Sequence, residues 1–250
     1  MQTAGVIVIV GNSNRFIERV RSAIADGNVG RDRISEPWIS ESDESVRKRV
    51  SSILADAELA WETMFENLYP VAETVGWHVS RVSGPEDILV YIESLVVKAK
   101  AKRIVTTNQK AVSEINFSHL SGHLGLSVTE VNNSGKIAPS DLRSRAIDAD
   151  IGITGVEYAI AETGTCVLSA DDETGRLVGL APPIHVALVK KGQVIPTLDD
   201  LFAIRKLQFL DESFPAYTNL ISGPSRSADI EYTLVTGVHG PGEVHMLLIE

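Results

Sequence analysis

From residue 78 onward the chain alternates short β-rich runs with helical patterns, and few fold classes accept that rhythm. Residues 78–82, 104–107, 126–131 and 150–153 read as strands, each a short run with β-branched residues. Between the first two, Pro85-Glu86-Asp87 opens a helix with acid in its first turn. Lys98, Lys100 and Lys102 stand at its end, the arrangement a helix dipole favours. Pro139-Ser140-Asp141 opens a shorter helix before the fourth strand. Further strands are expected at 166–170, 184–189, 220–222 and 244–249. Thr197 with Asp200 is a capping signal for a helix over 198–207. The alternation predicts an α/β fold with parallel strand pairs.

Residues 1–77 follow a different pattern and read as an N-terminal extension and helical arm, ahead of an α/β core at 78–250. An apolar run at 6–10 leads through Gly11 into a helical pattern carried by Phe16, Ile17, Val20, Ala23 and Ile24. The turn contains neither a GxGxxG nor a following lysine, so it lacks the detail of a nucleotide loop. After a polar stretch at 31–42, apolar residues fall at Val46, Val50, Ile53, Ala57, Trp61, Met64, Leu68 and Val71. That spacing predicts one long amphipathic helix, which Pro70 should kink or break near its end. Its apolar face either packs on the chain's own core or docks a partner.

The composition narrows the functional classes. With 250 residues, 44% of them hydrophobic and 22% charged, the chain can bury a substantial core. Its net charge of -10 disfavours nucleic acid and anionic membrane surfaces. No run approaches a membrane span, and the apolar opening is too short for a signal peptide. A single cysteine, Cys166, excludes an intrachain disulfide and a four-thiolate cluster; it enters an apolar run and reads as core. A reducing cytoplasm is the expected compartment.

Four segments of the last hundred residues concentrate glycine, proline and small polar residues at strand ends. They cover 154–165, 181–185, 222–231 and 237–245. Gly223-Pro224 forces a turn, after which Ser225 is expected to cap a helix starting at Arg226. That helix N-terminus and guanidinium would bind a carboxylate or phosphate, with Asp229 and Glu231 nearby. The bland alternative pairs Arg226 with Asp229 or Glu231. Thr163-Gly164-Thr165 could form an anion nest beside Glu162 as a base, or simply a tight turn. His239, in a Gly-Pro loop, is a second acid–base candidate. His185 and His245 lie in apolar runs and read as acid–base groups or metal ligands, with His185 also a ligand-binding candidate, or simply as satisfied strand histidines. Their spacing does not support a helical metal site, and no GxSxG elbow is present.

As an ordered set, these segments resemble the LUD-domain family, in its lactate utilization protein C branch. The resemblance rests on Thr154-Gly155 with 159–165, on Pro182-Pro183-Ile184-His185, on 222–226 with 228–231, and on Gly237-Val238-His239-Gly240-Pro241 with His245. It is firm over about 140–250 and looser over 45–140; the apolar run at 6–10 departs from it. The resemblance implies a core similar to the NagB/RpiA/CoA-transferase and 5-formyltetrahydrofolate cyclo-ligase group. It also implies a subunit that supports oxidation of L-lactate to pyruvate beside iron–sulfur proteins. On that reading any clusters lie in partner chains, and this chain binds a small carboxylate such as lactate or contributes an interface. Two alternatives stay open. One is a stand-alone nucleotide- or CoA-dependent enzyme; the other is a scaffold, either one able to form a homo-oligomer.

Overall fold

The structure, a computed structural model, describes residues 41–132, 137–170, 175–230 and 233–250. The apolar run at 6–10 and the helical pattern after it lie outside the described residues.

Residues Asp43–Glu250 form one compact unit. The expected long helix is two helices, α1 (Asp43–Leu59) and α2 (Trp61–Val75), broken at Ala60. The break has a packing reason, because the two halves bury their apolar stripes against different partners. Val46 and Val50 of α1 pack with Leu201 and Ile204, whereas Phe65, Leu68 and Ala72 of α2 pack with Trp77, Val79 and Met246. Pro70 does not end α2. It is exposed, and the carbonyl its missing N–H would have met belongs to Glu66, which is also exposed and open to water. The helix stops instead at Gly76, whose φ of 106° suits a left-handed cap.

A six-stranded parallel sheet follows. Its strands are β1 (His78–Val82), β2 (Arg103–Thr106), β3 (Ser127–Glu130), β4 (Ile151–Gly155), β7 (Ile184–Lys190) and β12 (Glu243–Ile249), in the spatial order β1-β12-β7-β4-β2-β3. Helix α3 (Pro85–Ala99) covers one face together with the short helices α4 (Lys110–Ser113) and α5 (Ser118–Leu124). Ile88, Ile92, Leu95 and Val96 of α3 recur at helical spacing and meet Ile104, Ile153, Val186 and Leu247. Each such buried side chain contributes about 1.5–3 kcal/mol of transfer free energy. Period-two alternation sends Ala187, Val189, Met246 and Leu248 to the opposite face. That face is covered by α2 and by a small sheet of β5 (Tyr158–Ile160), β6 (Thr165–Ala170), β8 (Val194–Ile195) and β9 (Tyr217–Ile221), ordered β8-β5-β6-β9. Cys166 lies fully buried in this layer, where burial pushes its thiol upward.

The remaining elements are α6 (Pro139–Ile147), α7 (Leu198–Leu210) and an antiparallel hairpin of β10 (Arg226–Ile230) and β11 (Thr233–Thr236). The α7 capping signal is realised, with the Asp200 N–H donating to Thr197 Oγ1 at 3.2 Å. Among the described residues, no helix is long and apolar enough to cross a membrane.

Candidate functional site: a cleft at the switch point of the sheet

Strand order locates the first place to look. The chain leaves β2 for β3 on one side, crosses back to β4, and then proceeds away through β7 to β12. Connections leaving β2 and β4 therefore diverge, and a crevice opens outside their carboxyl ends. A cleft of about 400 Å³ lies there. One wall is Thr107-Asn108-Gln109, directly after β2, with Thr154 near the end of β4. The other wall comes from Leu168-Ser169-Ala170 of β6 with Asn219 and Ile221 of β9; Gly175, Arg176, Gly179 and Leu180 also line it.

Local chemistry holds these walls in place. The Thr107 N–H donates to the Ile153 carbonyl at 3.1 Å, prolonging the β2–β4 ladder by one residue. Gln109 then starts α4, its carbonyl accepting from Val112 and Ser113 at 2.9 and 3.0 Å. At Gly152 a Cβ would lie 1.9 Å from the Val178 carbonyl oxygen, so only glycine lets the 3₁₀ turn Gly175–Gly179 approach β4 this closely. On β6, the Ser169 hydroxyl donates to Glu157. The Arg205 guanidinium reaches the two Glu157 oxygens at 2.9 and 2.7 Å and Ser169 Oγ at 2.8 Å.

The lining is polar and has unused capacity. Among the described residues, Thr107 Oγ1 and Gln109 Oε1 are buried without a hydrogen-bond partner, an expensive condition unless a ligand or water completes them. Arg176 is the one ionisable side chain among the described lining residues, and its guanidinium stacks 4.8 Å over the Tyr217 ring. One guanidinium among hydroxyls and carboxamides suits a small anion that also carries a hydroxyl or carbonyl. Beneath the lining, Thr154 Oγ1 lies 2.8 Å from Nε2 of His185. Burial, with the neighbouring His245, pushes the His185 imidazole down to about 3, so it is neutral.

The residues singled out from sequence take other places. Ser225 does not cap a helix, because Arg226 begins strand β10. Backbone bonds commit Ser225 to the hairpin: its N–H donates to Pro241 at 2.8 Å, and its carbonyl accepts from Gly237 at 2.9 Å. Arg226 donates to the Val75 carbonyl at 3.1 Å, at the negative end of α2. Gly223 abuts the same helix end, where a Cβ would lie 2.3 Å from the Val75 oxygen. Asp229 lies on β10, and Glu231 is outside the described residues.

Glu162 Oε1 accepts from the Leu198 N–H at 2.6 Å, joining the β5–β6 turn to the first turn of α7. Thr163, Gly164 and Thr165 form a packed turn. Thr165 Oγ1 meets Thr163 Oγ1 at 2.8 Å and Ser222 Oγ at 2.6 Å, while the Gly164 carbonyl accepts from the Trp77 indole at 2.9 Å. His239 is exposed in the loop before β12. His245 faces away from His185, toward α3. There Tyr91 Oη meets its Nδ1 at 2.8 Å and its Nε2 lies 3.2 Å from Glu243, and burial pushes its imidazole down to about 4.

The four segments do converge, but chiefly at the amino ends of β7 and β12, where the Gly242 N–H also donates to Pro183 at 3.0 Å. Glu162, Ser225, Arg226 and His239 are not among the described lining residues. Sequence reasoning missed Thr107, Gln109 and Arg176. A signal existed for the first two: Thr107-Asn108-Gln109 is a polar run directly following a buried strand.

Comparison with known proteins identifies relatives of this architecture. The LUD domain family model matches residues 66–249. Lactate utilization protein C 1 of Bacillus mycoides is 30% identical over 193 residues, covering 77% of this chain and 81% of that protein. Lactate utilization protein C of Bacillus licheniformis is 41% identical over 107 residues. That match covers 42% of this chain and spans 45% of the relative, so less than half its length is matched. Among solved structures, a DUF162 family protein from Deinococcus radiodurans aligns with 20% identity and a TM-score of 0.47, over 76% of this chain and 98% of that one.

Proposed function

We propose a role in lactate utilization for this chain, which belongs to the LUD domain family and to its lactate utilization protein C branch. The observation that carries the reading is the cleft at the switch point. It combines a guanidinium with two buried polar oxygens that have no partner among the described residues. L-Lactate is a carboxylate with a hydroxyl on the adjacent carbon. Arg176 and the Thr107 hydroxyl would hold the carboxylate, and the Gln109 amide oxygen would accept from the lactate hydroxyl.

Oxidation to pyruvate removes two electrons and two protons from the substrate. The chain has one cysteine, Cys166, which is buried and cannot assemble a cluster, so iron–sulfur partner proteins would take the electrons. The described lining holds neither a carboxylate nor an imidazole. The proposed task is therefore to bind and present the acid within a cytoplasmic assembly, rather than to abstract its protons.

Calorimetric titration with L-lactate tests the assignment. Thr107→Val and Arg176→Gln should each weaken binding about tenfold or more, while Arg226→Ala leaves it unchanged. Loss of binding in Arg226→Ala with normal binding in both cleft variants would reject it. A second reading, a nucleotide- or CoA-dependent enzyme, is favoured by the cleft volume of about 400 Å³, which exceeds what a three-carbon acid fills. Thermal stabilisation by ATP or an acyl-CoA, with none by L-lactate, would select it.

A further inference from the structure

We infer that His185 is a positioning residue: its Nε2–H donates to Thr154 Oγ1 and so fixes the Thr154 hydroxyl as a hydrogen-bond donor toward the cleft. The inference rests on the cleft being the binding site, and it adds which kind of group that site selects.

The geometry leaves the imidazole little choice. His185 stands in register with Gly152 of β4, on the face opposite α3, and is fully buried. Gly152 and Gly179 let the 3₁₀ turn close over it; a Cβ on Gly179 would lie 3.4 Å from Nε2. Trp77 flanks the ring at a centroid distance of 6.0 Å. Nε2 has one partner, Thr154 Oγ1 at 2.8 Å, and Nδ1 has none among the described residues.

A neutral imidazole carries one proton. Placed on Nδ1, that proton would be a buried donor without an acceptor, the rarer and costlier kind of orphan in folded proteins. Placed on Nε2, it forms the bond to Thr154 and leaves only an unused lone pair at Nδ1. Thr154 Oγ1 then accepts from His185, and its own proton is free for whatever enters the cleft. Among the described residues it has no other bond partner. Together with the Thr107 hydroxyl, this gives the wall nearest β2 and β4 two donors. This pair of donors selects an acceptor group, a carboxylate or keto oxygen, while the Gln109 amide oxygen on the same wall takes a donor such as a hydroxyl.

The direct test is the nitrogen spectrum of His185 in the full-length, ¹⁵N-labelled protein near neutral pH. The expected result is a protonated, pyrrole-type Nε2 and a pyridine-type Nδ1, with Thr154→Val shifting the Nε2 resonance. A protonated Nδ1 resting on the Trp77 ring would overturn the inference and leave the cleft reading intact. The second arm is L-lactate affinity. Thr154→Val and His185→Met should each weaken it about tenfold, whereas Thr154→Ser and His185→Gln, which retain a donor in each position, should bind close to the parent. Equal loss in His185→Gln and His185→Met would reduce His185 to a packing residue and overturn the inference. Absence of L-lactate binding by the parent chain, with an Nε2–H tautomer, would overturn the cleft reading alone.

Discussion

Replacing Arg205 by leucine tests whether a buried ion pair sets the shape of the cleft. The Arg205 side chain is 7% exposed and that of Glu157 is 26% exposed. The guanidinium makes four bonds: two to Glu157, one to Ser169 at 2.8 Å and one to Gln208 at 2.5 Å. Removing one member of a buried pair costs about 3–5 kcal/mol, because the other charge stays behind uncompensated. Glu157 keeps some solvent contact and its donors from Ser169 and Gln208, so the lower end applies, about 3 kcal/mol. For a chain of this size that lowers Tm by roughly 6–12 °C.

The pH dependence supplies a sharper signature. Burial pushes the Glu157 carboxyl upward, but hydrogen bonds from Arg205, Ser169 and Gln208 outweigh it and hold the group below its ordinary value. In the parent, this group's stabilisation is present above the unfolded pKa and is lost as pH falls through the depressed folded one. Without Arg205, burial dominates and the folded value rises above the unfolded one. The variant's deficit should then shrink as the pH is lowered from neutral, because protonation removes the stranded charge. Adding Glu157→Gln should recover part of the loss at neutral pH. Urea unfolding of the four proteins in this cycle measures each quantity. Additive single losses, or a deficit that grows toward acid, would refute the ion-pair reasoning.

Other consequences are more local. Gly152→Ala places a Cβ 1.9 Å from the Val178 oxygen. It should cost about 3 kcal/mol in a denaturant titration and displace the 3₁₀ wall of the cleft. His245 and His185 are held at about 4 and about 3, below the ordinary 6.5. The unfolded chain therefore binds more protons than the folded one below about pH 6.5. Stability should fall steadily from there toward acid, by on the order of 2 kcal/mol from His245 alone at pH 4.5. His245→Asn, which keeps an acceptor for Tyr91, should flatten the pH profile of the urea midpoint.

The strand–helix alternation made most of the parallel sheet legible because each signal is local. The acidic first turn and basic end of α3, the Thr197 cap and the β-branched runs all read without tertiary knowledge. What failed depended on partners distant in sequence. The apolar stripe through α1 and α2 looks continuous, yet its halves face different clusters, and no local pattern records that. Ser225 and Arg226 carry a plausible helix start, but pairing of β10 with β11 overrides it. Likewise, Thr163-Gly164-Thr165 reads equally as a nest or as a tight turn until Ala72 of α2 is seen against Gly164, where a Cβ would meet its backbone at 2.8 Å. The cleft itself is assembled from loops separated by more than a hundred residues, from Thr107 to Ile221. Its location follows from strand order, which becomes visible only in the folded chain.

The central claim is that a small hydroxy-acid enters at the switch point between β2 and β4. Backbone amide mapping of the labelled protein during titration with L-lactate tests it most directly. Saturable shifts are expected at residues 107–109, at Thr154 and along 175–180. Saturable shifts confined to 222–226 and 237–242, where the sequence motifs gather, or no saturable shift at all, would contradict it.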